Sequence, residues 1–193
     1  LYKTENGADS WQLVLTNNIR EVAFHPSNPE IVYAVSDRFY RSTNGGFDFD
    51  FITDGLPSSG IVNRYSLAVS PDSPNYVYVL AGNENDAGLE GIYRSEDEGL
   101  TFSERADSPN ILGYSSSGES GGGQSWYDLA LAASPENGNR VITGGINVWR
   151  SEDGGTTTNP ISHWVYPTDI GYTHADIHFL RYYGDRLYCG SDG

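Results

Sequence analysis

The sequence of 193 residues contains no methionine and only one cysteine, Cys189. A single cysteine excludes an internal disulfide, although it does not indicate a cellular compartment. Cys189 is expected to be a buried apolar residue. A chain that lacks methionine and begins within a repeated segment is expected to be part of a longer protein. The absence of a signal peptide is therefore uninformative.

Basic residues are also scarce. The chain has 11 Lys and Arg residues against 26 Asp and Glu residues, which gives a net charge of −15. An acidic surface repels phosphate groups, so neither nucleic acid nor an anionic membrane surface is expected as a partner. No apolar run approaches the roughly 20 residues of a membrane-spanning helix, so direct insertion into a membrane is not expected.

Aromatic residues and short alternating segments are abundant instead. Aromatic residues make up 13% of the chain, with 14 tyrosines, a composition typical of a sheet-rich globular protein. No segment shows a helical period. The length suits one domain that is large enough to bury a core.

A short hairpin sequence recurs four times, and we call each copy a box turn. The most complete copy is Ser151–Thr157 (S-E-D-G-G-T-T), and the others begin at Thr4, Ser42 and Ser95. Asp or Asn followed by Gly tolerates positive φ, and Ser or Thr oxygens bind nearby backbone N–H groups, so each copy predicts a tight turn. The turn-forming residues of the last three copies are Ser42, Asn44, Gly46, Ser95, Asp97, Gly99, Ser151, Asp153 and Gly155.

The spacing of the box turns predicts the fold. They begin at residues 4, 42, 95 and 151, and each lies within a pattern of four short strands. Four antiparallel strands at a period of about 40–50 residues are typical of β-propeller blades, whereas a β-sandwich does not repeat one hairpin sequence. We predict an all-β chain forming part of one β-propeller, with about four blades present. The expected units are 1–18 (the end of a blade), 19–56, 57–110, 111–165 and 166–193 (the start of a blade).

The box turns and the strands before them resemble the Asp-box, also called the BNR repeat. A-F-H-P-S-N-P-E-I-V-Y-A-V at 23–35 and Y-R-S-T-N-G-G at 40–46 are similar to blades of sortilin-like domains and of xyloglucanase-type glycoside hydrolases. G-Q-S-W-Y-D at 123–128, H-A-D-I-H at 174–178 and G-S-D-G at 190–193 resemble large secreted Bacteroidota proteins that leave the cell by the type IX secretion system. The resemblance implies an extracellular or cell-surface location and structural box turns remote from the ligand. Both enzymes and proteins without enzymatic activity contain Asp-box repeats, so the resemblance does not predict an activity.

The long connections are all expected on one face of the propeller. Gly82–Gly91 joins two strands within a unit, and segments 54–63, 107–125 and 165–172 join successive units. Variable loops on a rigid scaffold usually carry binding, so the ligand site is expected on this face. Innermost strands begin there, and their first residues should surround the mouth of the central channel. These residues are Arg20, Tyr65, Trp126, Tyr127, Asp128, His174 and Asp176.

Two of these residues, Asp128 and Asp176, are candidate catalytic carboxylates. Glycoside hydrolysis needs one carboxyl group as an acid and a second as a base or nucleophile. The resemblance to xyloglucanases implies paired aspartates, but the pair of those enzymes belongs to two separate propellers, so neither residue is matched to it. The alternative for Asp128 is a structural role, in which it caps N–H groups of the preceding Gly-rich loop.

Aromatic rings near the mouth could stack on sugars or anchor a protein. Tyr172 is one such exposed aromatic residue. Strand alternation would place His174, Asp176 and His178 on one side, either as ligands of a transition metal or as a polar ladder lining the channel. The loop Asn83–Glu90 could bind calcium but lacks the spacing of a known calcium loop, so a solvated loop is the alternative. The candidate binding residues are Tyr65, Tyr114, Gln124, Trp126, Tyr127, His174 and His178.

A sialidase is disfavoured by the arginine positions. Arg41, Arg94 and Arg150 precede box turns on third strands away from the channel, where pairing with carboxylates of neighbouring blades is the simpler role. We therefore predict a secreted or cell-surface binding module for glycan or protein, without a required cofactor. The rest of its own chain or another chain would complete the propeller. The alternatives are a polysaccharide hydrolase of xyloglucanase type and a structural domain of a large surface protein or secreted cargo.

Overall fold

The computed structural model describes residues 1–165 and 169–193. The described residues form strands, turns and irregular segments in five sheets, and none of them belongs to a helix that could cross a membrane. Sheet 1 pairs β1 (Tyr2–Lys3) with β2 (Gln12–Leu13). Sheet 2 contains β3 (Glu21–Phe24), β4 (Val32–Val35), β5 (Phe39–Ser42) and β6 (Asp50–Ile52). Sheet 3 contains β7 (Val62–Val69), β8 (Val77–Asn83), β9 (Leu89–Ser95) and β10 (Ser103–Ala106).

The two remaining sheets continue the same pattern. In sheets 2, 3 and 4, four strands follow one another antiparallel in chain order, and the first strands of sheets 2 to 5 lie side by side. This is the arrangement of β-propeller blades around a channel. The predicted all-β propeller fold, present in part, is confirmed. Sheet 4 contains β11 (Ala130–Ala133), β12 (Val141–Gly144), β13 (Val148–Ser151), β14 (Asn159–His163) and β15 (Gly171–Tyr172), and sheet 5 pairs β16 (Ile177–Tyr183) with β17 (Arg186–Ser191).

Strand β15 was not anticipated. The expected connection over 165–172 includes residues 166–168, which lie outside the described residues, but Gly171 and Tyr172 pair in parallel with Ser162 and His163 of β14. A Cβ atom on Gly171 would come within 2.9 Å of the Ile161 carbonyl oxygen, so the close approach of the two backbones depends on glycine.

Apolar side chains fill the space between successive sheets. Tyr33, Phe39, Leu67 and Val79 belong to the cluster between sheets 2 and 3. Because blades pack face to face, strands such as β4, β8 and β12 are buried on both sides. The cluster between sheets 3 and 4 includes Tyr78, Leu80, Ile92, Leu131 and Trp149. The cluster between sheets 4 and 5 includes Ala130, Ile142, Val148, Ile177 and Leu180.

The box turns form closed hydrogen-bonded loops. Ser151 Oγ donates to Asp153 Oδ1 at 2.8 Å and accepts the Gly155 N–H at 2.8 Å. Asp153 Oδ1 then accepts the Thr157 N–H at 2.9 Å. Gly154 and Gly155 have φ values of +75° and +89°, which favour glycine. Although burial raises the pKa of Asp153, the hydrogen bonds from Thr157 and Ser151 more than offset it, and the net shift is downward. The turns at Ser42 and Ser95 have the same hydrogen bonds.

The arginines before the box turns differ in their partners. Arg41 contacts a carboxylate of the neighbouring sheet, because its Nη2 lies 3.3 Å from Glu98 Oε2 in the next box turn. Arg150 instead pairs with Glu152 of its own box turn, at 3.2 Å. Arg94 contacts the carboxylate of Glu96 in its own box turn and the side-chain amide of Asn139 in the turn before β12. The expected pairing with a carboxylate of a neighbouring blade therefore holds for Arg41 and is wrong for Arg94 and Arg150.

Cys189 is exposed, which corrects the expectation of a buried residue. It lies on β17, whose partner within sheet 5 is β16. One face and one edge of β17 are left uncovered among the described residues, so burial on a strand does not follow from alternation alone.

Candidate functional site

The long connections pack against one another on the expected face. The Gly123 N–H donates to the Asp86 carbonyl at 3.0 Å, and the Ser125 N–H donates to the Ala87 carbonyl at 3.1 Å. A Cβ atom on Gly123 would lie 2.6 Å from the carbonyl oxygens of Ala87 and Leu112, so glycine permits this contact. The Gly-rich segment is thus held on the loop at 83–90, and it leads into residues 124–128 just before β11.

A tight turn over residues 124–128 brings the two candidate carboxylates together. The Gln124 carbonyl accepts the N–H groups of Tyr127 and Asp128 at 2.7 and 3.1 Å. The side-chain Nε2 of Gln124 donates to Asp128 Oδ2 at 3.2 Å and also to Asp176 Oδ1. One amide nitrogen therefore bridges two carboxyl groups that are 48 positions apart in the sequence.

Asp128 is only 1% exposed, and its Oδ1 is buried without a hydrogen-bond partner among the described residues. Burial raises its pKa to about 7; the hydrogen bond from Gln124 opposes the shift, and the charge of Asp176 adds to it. Within the described part of the chain, no backbone N–H of the Gly-rich loop bonds to its carboxyl group, so the expected capping role is wrong. A carboxyl group this deeply buried does not reach a substrate directly.

The segment before β16 departs from the expected alternation. Strand β16 begins at Ile177, so His174 and Asp176 precede it, and Asp176 has a φ of +67°. The hypothesis that alternation aligns His174, Asp176 and His178 is therefore wrong. No group of three or more His, Cys, Asp or Glu side chains within residues 1–165 and 169–193 is arranged to hold a metal ion. His174 is exposed, and its Nδ1 contacts the Ala175 carbonyl at 3.1 Å.

A second set of contacts lies beside the carboxyl pair. Tyr127 OH donates to Asp192 Oδ2 at 2.7 Å, and His178 Nε2 contacts Asp192 Oδ1 at 2.7 Å. The Tyr127 and His178 rings meet edge to face, with centroids 4.8 Å apart. The hydrogen bond from Tyr127 lowers the pKa of Asp192 and raises that of Tyr127. We call Gln124, Tyr127, Asp128, Asp176, His178 and Asp192 the mouth cluster.

The predicted aromatic residues divide into three groups. Trp126 is 62% exposed, and its ring lies 5.6 Å from that of Tyr127, which is also exposed. Tyr65 is only 2% exposed and belongs to the core between sheets 2 and 3, so its expected place at the mouth is wrong. It lies in the middle of β7, which begins three residues earlier than the sequence suggested.

Tyr114 and Tyr172 lie away from the mouth cluster, at β14 and β15. Trp164 Nε1 donates to the Tyr114 carbonyl at 3.2 Å, and Tyr172 pairs with His163 across the two strands. Both tyrosines are exposed, as is Trp164, which sequence reasoning did not identify. These aromatic residues therefore contact β14 and β15, whereas Tyr127 contacts His178 and Asp192.

The innermost strands of sheets 2 to 5 wall a groove of about 900 Å³, which His178 of the mouth cluster lines. Arg20 and Arg64 line it, together with His178. Arg64 crosses to the next blade, where Nη1 and Nη2 donate to the Tyr127 and Leu129 carbonyls at 3.0 and 3.4 Å. Arg64 and Asp192 were missed as site residues, because both act across more than 60 residues. Asp192 belongs to the G-S-D-G segment, but its partners could not be predicted from that segment.

The hydrogen bonds of the acidic loop at 83–90 do not support a calcium site there. Asn83 Oδ1 accepts the Asn85 N–H at 2.8 Å, and Asp86 Oδ1 accepts the Gly88 N–H at 3.0 Å. Asn83 Nδ2 donates to Glu90 Oε2 at 2.6 Å. These oxygens are engaged in holding the loop itself, on which the Gly-rich segment rests.

The fold and the mouth of its channel define a β-propeller similar to those of glycoside hydrolases. No family model matches the chain. It is 29% identical over 155 residues to a xyloglucanase of Hypocrea jecorina (strain QM6a), covering 75% of this chain and 18% of that protein. It is 28% identical over 177 residues to a xyloglucanase of a Paenibacillus species, covering 86% of this chain and 15% of that protein. The chain thus spans less than a fifth of these relatives.

Solved structures give the same class of fold. A GH74 enzyme of Niastella koreensis matches with a TM-score of 0.65 and 16% identity, over 98% of this chain and 30% of the other. The GH74 xyloglucanase of Xanthomonas campestris matches with a TM-score of 0.61 and 25% identity, over 88% and 27%. YCF48 bound to the D1 peptide matches with a TM-score of 0.55 and 14% identity, over 79% and 42%.

Proposed function

We propose that this chain is a glycan-binding part of a glycoside-hydrolase-like propeller, and that its ligand binds at the mouth of the channel. The observation that carries the proposal is the exposed pair of rings, Trp126 and Tyr127, set directly beside hydrogen-bonded carboxyl groups. Aromatic faces stack on sugar rings, while carboxylates and amides bind sugar hydroxyl groups. Arg64 and His178, which both contact Tyr127, line the neighbouring groove.

The relatives support a polysaccharide as the ligand, because two of them are named xyloglucanases. A polymer too large to cross a membrane would meet the protein outside the cell, and this supports an extracellular or cell-surface location. The Asp-box resemblance adds a structural role for the box turns, and export by the type IX system rests on that resemblance alone. Further blades, from the same chain or another, would complete the ring.

Replacing Trp126 by Ala tests the binding site. Loss of one stacked ring is expected to weaken binding of a xyloglucan oligosaccharide by about tenfold, since an aromatic contact contributes about 0.5–1.5 kcal/mol beyond its buried area. Isothermal titration calorimetry measures the effect. Trp11→Ala is the matched control, because Trp11 is 59% exposed and directly precedes β2, remote in sequence from the mouth cluster. Equal affinities of Trp126→Ala and Trp11→Ala would contradict the proposal.

Hydrolysis is the second candidate, and the bridging of Asp128 and Asp176 by Gln124 favours it. The neighbouring carboxyl groups differ in environment, since Asp128 is buried with a pKa of about 7 and Asp176 is partly exposed. Glycoside hydrolysis uses carboxyl groups at the substrate, and Asp176 is the member of this pair that is exposed enough to contact one. In this arrangement Asp176 faces the substrate, and Asp128 acts as a positioning residue through Gln124.

Reducing-sugar release from xyloglucan separates the two candidates. If the chain hydrolyses xyloglucan, Asp176→Asn is expected to lower kcat at least a hundredfold, because general acid–base catalysis contributes about 10²–10⁴. Oligosaccharide affinity should change far less. Asp185→Asn removes the same charge from an exposed turn and serves as the control. Undiminished release from Asp176→Asn would exclude Asp176 as the catalytic group, and binding without release would leave the binding function alone.

A further inference from the structure

Two arginines at the mouth lack ion-pair partners. Arg20 directly precedes β3, and Arg64 lies on β7, the innermost strand of the next sheet. Within residues 1–165 and 169–193, neither guanidinium forms an ion pair with a carboxylate. The Nε atom of Arg64 is buried without a hydrogen-bond partner in the same part of the chain. In a protein of net charge −15, three arginines without ion pairs line one groove. The third is Arg181, whose guanidinium lies over the Tyr183 ring, 5.4 Å from its centroid.

The position of these arginines is fixed by contacts between the blades. Glu21 Oε2 accepts Ser66 Oγ at 2.9 Å and the Leu67 N–H at 3.1 Å, which ties the start of β3 to β7. Arg20 and Arg64 flank this link. Glu21 is directed at β7 and, among the described residues, forms no ion pair with either guanidinium, although its charge acts on Arg64.

The local electrostatics leave room for an anion. Burial lowers the pKa of Arg64, and the charge of Arg20 lowers it further, so the two guanidinium groups are near enough to repel each other. Glu21 and Asp128 are the carboxyl groups that oppose this repulsion, and burial raises the pKa of both. An incoming carboxylate would relieve the repulsion.

We propose that Arg20 and Arg64 bind the carboxylate of a uronic acid residue, so that the ligand at the mouth is an acidic glycan. This inference rests on the proposed glycan-binding function and names its substrate class. Arg64 donates to the carbonyl of Tyr127, whose ring forms the exposed aromatic pair with Trp126. A uronate offers a ring face that can stack on these aromatics and a carboxylate at the ring edge that can reach a planar guanidinium.

The selectivity would come from the arginines and not from the overall field. A net charge of −15 repels polyanions at long range, so an acidic glycan gains nothing from steering. Binding therefore needs short charge-assisted hydrogen bonds, which a guanidinium makes to a carboxylate. Arg20 is the better residue to test, because it is exposed and its side chain makes no hydrogen bond within the described residues, whereas Arg64 also joins two blades.

The test is titration calorimetry with trigalacturonate, its fully methyl-esterified form and a neutral xyloglucan heptasaccharide, at one fixed salt concentration. Esterification keeps the ring shape and removes the charge. Trigalacturonate is expected to bind about tenfold more tightly than its ester, since a hydrogen bond to a charged group contributes about 1.5–3 kcal/mol. Arg20→Gln should bring the ratio of the two affinities close to one. Arg186→Gln, an exposed arginine of β17 outside the groove lining, should leave the ratio unchanged.

Each other outcome overturns the inference, and the probes show what remains. Equal binding of acid and ester, or a ratio unaffected by Arg20→Gln, overturns the carboxylate site. Binding of the xyloglucan heptasaccharide without binding of trigalacturonate overturns it and leaves the proposed glycan-binding function intact. Failure of all three sugars to bind would contradict both the carboxylate site and the proposed glycan-binding function. An Asp-rich peptide that binds through Arg20 where trigalacturonate does not would identify a protein carboxylate as the true ligand.

Discussion

Replacing Asp128 by Asn is expected to raise the free energy of unfolding at pH 8 by about 2–4 kcal/mol and to change it little near pH 4. Burial raises the pKa of Asp128 to about 7 from an ordinary value of 3.8. Below pH 3.8 the carboxyl group is protonated in both the folded and the unfolded chain. Between about pH 4 and 7 the unfolded chain ionises first, so wild-type stability falls as the pH rises. Asparagine does not titrate and escapes this loss.

Urea unfolding of Asp128→Asn and of the wild type at pH 5, 6, 7 and 8 measures the effect. The difference in unfolding free energy should grow with pH and level off above about pH 7. Asparagine can still accept the hydrogen bond from Gln124 through its side-chain oxygen, so the bridge to Asp176 is retained in part. Asp185→Asn controls for the change in net charge. A stability difference that is constant from pH 5 to pH 8 would show that folding does not raise the pKa of Asp128.

A destabilising carboxyl group at this position fits a functional role for the mouth cluster. Evolution readily replaces a buried, incompletely hydrogen-bonded carboxyl group by an amide or an apolar side chain when only stability matters. Asp176 is a non-glycine residue with a φ of +67°, and this backbone strain is a second destabilising feature of the mouth cluster. Both costs fall at the ends of innermost strands on the face that also carries the long loops.

Local sequence patterns were sufficient to predict the sheets. Each box turn is closed by hydrogen bonds between side chains and backbone atoms that are two to four residues apart, as between Ser151 and Gly155. Such turns specify the neighbouring hairpin with little help from the rest of the chain. Strands β5 and β13 accordingly lead directly into the box turns at Ser42 and Ser151. The short parallel strand β15 escaped prediction, because it depends on a close approach to β14 rather than on its own two residues.

The candidate site could be predicted only in part, since long-range contacts build it. The G-Q-S-W-Y-D and H-A-D-I-H segments were recognised, and Gln124 does bring Asp128 and Asp176 together. The prediction that Tyr65 lies at the channel mouth was wrong, because the length of β7 is set by its pairing with β8. Arg64 carried no local signal, because its role depends on two carbonyl groups of the next blade.

Trp149→Ala is expected to lower the free energy of unfolding by about 3–5 kcal/mol, the usual cost of truncating a large buried aromatic side chain. Trp149 is among the largest fully buried side chains and lies in the cluster between sheets 3 and 4. Its removal leaves a cavity between two blades, and the strands on either side are held by their own hydrogen bonds and cannot collapse into it. Urea unfolding at pH 5, where Asp128 is protonated in the folded chain, measures the loss.

Two further variants separate packing from other effects of tryptophan. Trp149→Phe should cost less than about 1.5 kcal/mol, because it keeps most of the ring volume. The Nε1–H group of Trp149 is buried without a hydrogen-bond partner in the described part of the chain, so phenylalanine loses no bond there. Trp126→Ala, at an exposed position, should change stability by no more than about 0.5 kcal/mol while it weakens glycan binding. If Trp149→Ala were as mild as Trp126→Ala, sheets 3 and 4 would not be packed as blades of one propeller. Stability would then reside within the separate hairpins.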